Sequence, residues 1–225
     1  MIDKLTLNIV PTPIGNLEDI TFRSVKILKN SDYILCEDTR VSKKLLLKYD
    51  IEVPLVSFHS FNEHKTVNKH INQILSGKKI SLISDAGTPS ISDPGFLIVR
   101  ESIKKGIEIN CLPGPTALVP ALVNSGLSSE RFVFEGFIPS KKGRTKRLKS
   151  FKEETRSIIL YESPKRLIKL LKELQEVIGE DRKISISREI SKVYQENLRG
   201  TLSELINKLD NKTIKGEIVV IIDGK

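Results

Sequence analysis

Five short apolar runs punctuate the N-terminal half of the chain: LTLNIV (5–10), YILC (33–36), LVSF (55–58), ISLI (80–83) and IEINCL (107–112). They are short, rich in β-branched residues and apolar with little alternation, which marks strands buried on both faces. The segments between them, Thr21–Lys29, Val41–Tyr49, Lys65–Leu75 and Phe96–Lys105, read as amphipathic helices. Strand–helix alternation of this kind folds as a mainly parallel sheet with helices on both faces.

Beyond a helical stretch over 116–124 the rhythm changes. FVFEGF (132–137), SIILYE (157–162), KISISRE (183–189), VYQENLRG (193–200) and EIVVIID (217–223) read as strands, with helices only over 165–178 and 202–209, so hairpins and a mixed sheet are expected. The Pro/Gly loop PGPT (113–116) sets the boundary. The expectation is an α/β protein of two α/β domains, residues 1–115 and 116–225, with a cleft between them.

A chain of 225 residues with 39% hydrophobic and 29% charged residues has enough apolar material to fold. No window approaches the roughly 18 apolar residues of a membrane span, and MIDKLTLNIVPTP reads as a strand running into prolines rather than a signal peptide, so a cytoplasmic protein is expected. Cys36 and Cys111 end apolar runs and read as small buried residues. The net charge of +9 suits a polyanionic partner, although lysine-rich composition alone also produces it.

In a parallel sheet the loops leaving the strand carboxyl ends surround the ligand. The first, PTPIGNLEDIT (11–21), has a single glycine, Gly15, and lacks the dinucleotide fingerprint; Glu37 and Asp38 after the second strand can hold ribose hydroxyls. There is no GxxxxGK[ST] loop, no HExxH and no GxSxG elbow, and His59 and His64 have no adjacent cysteine, so metal and serine-hydrolase chemistry are disfavoured. SDAGTPSISDPG (84–95) can offer backbone groups and the Asp85 carboxylate to a polar ligand; two tight turns and a helix cap explain the same residues, and local chemistry leaves both readings open. In KKGRTKRLK, Lys141, Lys142, Arg144, Lys146, Arg147 and Lys149 suit phosphate contacts from a mobile loop pivoting at Gly143, with a solvated helix face as the competing reading.

VPTPIGNLEDIT, CEDTR (36–40), SDAGTPSISDPG, CLPGPTA (111–117), GFIPSKKGR (136–144) and YESPKRL (161–167), in this order, resemble the bacterial 16S ribosomal RNA cytidine 2′-O-ribose methyltransferase family. That family lies within the tetrapyrrole-methylase-like class III methyltransferases, and the resemblance runs from Leu5 to Asp223. It implies a homodimer binding S-adenosylmethionine between two α/β domains, with Pro13, Gly15, Asp85, Thr88, Pro89, Thr116, Ala117 and Tyr161 around the cofactor. The implied substrate is a cytidine of the decoding centre, in 16S ribosomal RNA or the small ribosomal subunit, methylated on its ribose oxygen.

Members of the family often carry a C-terminal helical extension, whereas this sequence stops soon after EIVVIID, so a difference in RNA affinity or specificity is expected. Such a reaction needs a group that takes the hydroxyl proton, sought among Glu37, Asp38, Arg40 and His59. A capping acid with its paired arginine and a surface histidine would explain those residues equally well. A methylase of the same fold acting on a small tetrapyrrole-like molecule, and a non-catalytic RNA-binding protein, are the rival readings.

Overall fold

The five apolar runs of the first half are five strands in the structure, a computed structural model in which residues 5–225 are described. They are β1 (Thr6–Ile9), β2 (Tyr33–Cys36), β3 (Leu55–Ser57), β4 (Ile80–Leu82) and β5 (Glu108–Cys111). Between them run α1 (Phe22–Lys29), α2 (Thr39–Lys48), α3 (Glu63–Leu75) and α4 (Phe96–Lys104). All pairings are parallel, in the order β3-β2-β4-β1-β5.

Because side chains alternate across a strand, each strand feeds two cores. Leu7, Ile9, Leu35, Ile80 and Leu82 pack with Val67, Ile71 and Ile74 of α3 and Ile98 of α4. On the other face Val10, Ile34, Cys36 and Ile83 meet Leu28 of α1 and Leu45 and Leu46 of α2. β5 is an edge strand, and this explains a departure from the sequence reading: Cys36 is buried, but Cys111 at the end of β5 is exposed.

The first compact unit ends at Thr116 and the second runs from Ala117 to Lys225. The second holds α5 (Leu118–Ser125), β6 (Phe132–Phe137), α6 (Arg144–Ser150), β7 (Ser157–Glu162) and α7 (Pro164–Ile178), then β8 (Lys183–Arg188), β9 (Glu196–Thr201), α8 (Leu202–Leu209) and β10 (Ile218–Ile222). Its sheet has the order β6-β7-β10-β8-β9, with β6 parallel to β7 and the other pairs antiparallel. All five residues of β10 are buried. Ile218, Val220 and Ile222 pack against Leu170 and Leu174 of α7 and Leu205 of α8, while Val219 and Ile221 pack against Ala121 and Leu122 of α5.

The α8 N-terminus is closed by a capping box in which the Thr201 side chain accepts from the Glu204 backbone and the Glu204 side chain accepts from the Thr201 backbone. The β6–β7 register slips at Glu135, and the Glu135 carboxylate meets Arg147 at 3.0 Å.

The basic run corrects an expectation. From Arg144 onward it is the helix α6, with Lys141–Gly143 in the turn before it, and Arg144 is buried. Arg144 donates through Nε to Glu173 at 2.8 Å and through a terminal nitrogen to the Pro139 carbonyl at 3.2 Å. Arg144, Leu148 and Phe151 form the buried stripe, spaced as one helix face requires. An arginine in the first position of that stripe hides the period from a hydrophobicity pattern. Of the basic residues expected to contact phosphate, the Arg144 guanidinium is committed inside the fold and Arg147 is paired with Glu135.

Lys141, Lys142, Lys146 and Lys149 are exposed and have no ion pair among the described residues. Arg144→Ala leaves a backbone carbonyl without its partner and Glu173 with only the more distant Lys169, and the expected loss is about 2 kcal/mol. Lys146→Ala should change stability by no more than about 0.5 kcal/mol. Urea unfolding of the two variants measures the contrast, and equal midpoints would show that Arg144 does not hold α6 in place.

Candidate functional site

The strand order puts β1 beside β4 at the centre of the first sheet. The chain leaves β1 towards β2 and β3 on one side, and leaves β4 towards β5 on the other. The point where the winding reverses therefore lies at the carboxyl ends of β1 and β4, the place where open α/β sheets bind ligands.

The loops there are tied together. Thr12 and Gly87 exchange two backbone hydrogen bonds of 2.9 Å each, and the buried Thr12 hydroxyl donates to the Ser84 carbonyl at 2.9 Å. The Thr88 hydroxyl donates to the Pro115 carbonyl at 3.1 Å, which joins the β4 loop to the β5 loop. Two glycines are demanded by this closeness. A Cβ on Gly114 would lie 2.7 Å from Pro11 Cβ, and one on Gly95, whose φ is +133°, would lie 2.9 Å from Leu82 Cδ2. Ser90 and Ser92 adopt φ of 72° and 65°, left-handed conformations that are costly for residues with a Cβ.

Of the residues expected around a cofactor, six belong to this unit. Pro13 and Pro89 are buried, Asp85, Thr88 and Thr116 are half-buried, and Gly15 is exposed in the first loop. Ala117 and Tyr161 belong to the second unit. Ala117 is the N-cap residue of α5, and the Tyr161 ring meets those of Phe134 and Phe137 edge-on at 5.0 and 5.7 Å.

The residues sought for proton transfer gather after β2 and β3. Asp38 caps α2, accepting from the Arg40 backbone at 2.8 Å, and is paired with the Arg40 side chain at 2.6 Å. The Arg40 guanidinium holds the Asp38 carboxyl at about 2. The backbone N–H of Asp38 donates to Asp85 Oδ1 at 3.1 Å, fixing the β2 and β4 loops to each other. Asp38 and Arg40 thus form a helix cap and its counter-ion.

Glu37 is different. Burial pushes its carboxyl up, the neighbouring Asp85 and Asp38 charges add to this, and His59 opposes it. Burial likewise raises Asp85. His59 is half-buried, and its Nδ1 is enclosed without a hydrogen-bond partner among the described residues. Glu63, the first residue of α3, has an enclosed Oε2 in the same condition. Sequence reasoning missed Glu63 because an acid in the first helical turn is ordinarily accounted for by the helix dipole.

In the second unit the YESPKRL segment acts on GFIPSKKGR. Glu162 is buried, accepts from the Ser163 backbone at 2.8 Å and faces Arg166 at 3.3 Å. Arg166 donates to the Ile138 carbonyl at 2.5 Å while Arg144 holds the next carbonyl, that of Pro139. Lys141 and Lys142 follow directly on this clamped backbone.

Residues 6–206 match the family described as tetrapyrrole (corrin/porphyrin) methylases. A protein of Thermotoga maritima named ribosomal RNA small subunit methyltransferase I is 48% identical over 180 residues, covering 80% of this chain and 81% of the relative. Proteins of the same name from Pseudomonas aeruginosa and Bacillus subtilis are 45% and 46% identical, and the match covers 64% and 63% of their lengths. The chain thus spans just under two thirds of these two relatives. Among solved structures, a diphthine synthase superposes with a TM-score of 0.76 at 13% identity, covering 97% of this chain and 90% of that one. A cobalt precorrin-4 methyltransferase of cobalamin biosynthesis gives 0.70 at 17%, covering 97% and 95%; at such identities the likeness is one of fold. The extent of the family match and the identity to the Thermotoga relative together show that this chain belongs to the tetrapyrrole methylase family and, within it, to the ribosomal RNA small subunit methyltransferase I group.

Proposed function

We propose that this protein is an S-adenosylmethionine-dependent methyltransferase that methylates the ribose 2′-hydroxyl of a cytidine in the decoding centre of 16S ribosomal RNA. The observation that carries the reading is the identity of 45 to 48% to relatives named ribosomal RNA small subunit methyltransferase I. The exposed lysines of α6 and the segment before it favour RNA over a small acceptor. Work on ribosomal RNA places the protein in the cytoplasm, and no helix among the described residues is long and apolar enough to cross a membrane. A homodimer is part of the same proposal.

The β1, β4 and β5 loops fit the methyl donor. Gly95 and Gly114 sit where a Cβ would collide with the side chains of Ser90, Leu82 and Pro11, so glycine at these two positions lets the loops close on one another. Asp85 spends Oδ1 on the Asp38 amide and keeps a second carboxylate oxygen for a hydroxyl donor. Pro13, Gly15, Thr88, Pro89 and Thr116 complete the surface offered by this unit, and the contacts expected of Ala117 and Tyr161 belong to the same proposal. When bound, S-adenosylmethionine supplies a methyl group on a sulfonium, open to in-line displacement.

Glu37 takes the hydroxyl proton on its carboxylate. Its raised pKa makes it a stronger base than Asp38, and the Asp38–Arg40 pair keeps the strand end rigid around it. His59, whose charge interacts with Glu37, orients or stabilises that carboxylate.

Mapping of 2′-O-methylation on small-subunit RNA treated with protein and methyl donor tests the function. Transfer at a single ribose is expected, and none on either free RNA or the subunit would refute it. Glu37→Gln should lower kcat by about a hundredfold or more at saturating donor. In the unaltered protein kcat rises with pH as Glu37 loses its proton. Asp85→Asn removes a like charge, lowers the Glu37 pKa and should move that limb to lower pH; a limb that stays in place excludes Glu37 as the base. Replacing Lys141, Lys142, Lys146 and Lys149 by glutamine should reduce the slope of log affinity for RNA against log salt by about 3, with donor affinity unchanged. Filter binding at several salt concentrations reads this, and an unaltered slope removes these lysines from the RNA surface.

A further inference from the structure

The second unit carries a groove that the proposed reaction does not use. It has a volume of about 470 Å³ and an apolar floor that includes Leu167, Ile186, Leu198 and Leu209. Lys208, Lys212 and Lys215 stand on its rim, exposed and without an ion pair among the described residues. The acids of the groove are already answered: Glu196 pairs with Arg188 at 3.2 Å and Glu189 with Lys192 at 2.9 Å. Three uncompensated positive charges therefore surround an apolar floor.

Tyr194 lines the same groove and is 74% exposed, next to Val193 at 92%. Large side chains left in water this way call for an explanation when the backbone beneath them is costly to hold. Glu189 and Ser191 adopt φ of 53° and 66°, the left-handed region unfavourable to both. The turn is nevertheless fastened on several sides. Lys192 donates to the Glu189 carbonyl, Gln195 to the Lys192 carbonyl, and the Glu189 carboxylate accepts from the Glu217 backbone at 2.9 Å. Gly216 leaves the space this needs, since a Cβ there would collide with the Glu189 side chain. The sequence thus holds an aromatic ring out at the groove edge on a rigid, strained turn.

An exposed ring beside an apolar floor and unpaired lysines is the chemistry that recognises single-stranded nucleic acid, whose bases stack and whose phosphates need cations. Resting on the proposed action on RNA, we propose that this groove is a second RNA-binding site, separate from α6. One unpaired base stacks on Tyr194, and the adjoining phosphates contact Lys208, Lys212 and Lys215. The polyanion is favoured over an apolar peptide because the charge left unpaired on the rim, that of Lys208, Lys212 and Lys215, is positive.

The test uses the full chain and a fluorescein-labelled single-stranded oligoribonucleotide of decoding-centre sequence. Tyr194→Ala should weaken binding about tenfold, and Tyr194→Phe, which keeps the stacking face, should restore most of it. The triple variant Lys208→Gln, Lys212→Gln, Lys215→Gln should lower the salt slope by about 2. Unchanged affinity and slope in both variants, with thermal stability and wild-type RNA methylation intact, would overturn the second site while leaving the proposed function standing. Failure of the wild-type protein to methylate RNA would count against the function instead. Loss of binding to an acidic peptide with RNA binding preserved would likewise overturn the proposal and mark the groove as a protein-docking surface. Should Tyr194→Ala unfold, the Phe variant and the lysine triple variant still decide the matter.

Discussion

The two backbone hydrogen bonds between Thr12 and Gly87 close the loop after β1 onto the loop after β4 at the one place where the sheet reverses its winding. Much of the proposed active site hangs from that link. It sets where Ser84 and Asp85 stand, and Asp85 in turn receives the amide of Asp38 and fixes the end of β2. Thr88 then reaches across to Pro115 and brings in the β5 loop. Four loops from four strands become one surface through these hydrogen bonds. Glycine at 95 and 114 and left-handed serines at 90 and 92 are what such tight contact requires of the backbone.

Electrostatics divides the basic residues into two kinds. Arg144 and Arg166 are partners of Glu173 and Glu162 and brace consecutive carbonyls at Pro139 and Ile138. The planar guanidinium, with donors to spare for a carbonyl as well as a carboxylate, does this better than an ammonium can. Lys141, Lys142, Lys146 and Lys149 are exposed and without an ion pair among the described residues, so their charge is available to a polyanion. A count of basic residues in KKGRTKRLK merges these two kinds, and only packing separates them.

Much of the fold was legible because a buried parallel strand leaves a strong local trace. YILC coincides with β2 to the residue, and the edge strand FVFEGF and the helix Leu202–Leu209 coincide with β6 and α8. The misses have identifiable causes. α6 stood only as the competing reading of its segment, because a buried arginine occupies a position that periodicity expects to be apolar. Cys111 ends an apolar run yet lies at a sheet edge, which depends on strand order rather than on neighbours in sequence. VYQENLRG begins pairing only at Glu196, since a fastened turn occupies the residues before it. At the candidate site the acidic pair Glu37–Asp38 stands out in the sequence, but the half-buried setting of Glu37 and the capping of α2 by Asp38 with Arg40 depend on packing that the sequence does not display.

The slip of register at Glu135 has a consequence for how this protein behaves in a crowded solution. β6 is an edge of the second sheet, and an edge strand left straight offers its unpaired amides to any extended chain that passes. Here the irregularity breaks the strand's hydrogen-bonding rhythm in its middle and sets an ion pair with Arg147 there. A foreign strand would find neither a continuous ladder nor a neutral surface to join. The same short irregularity that aims a carboxylate at α6 thereby guards this edge against sheet-to-sheet aggregation.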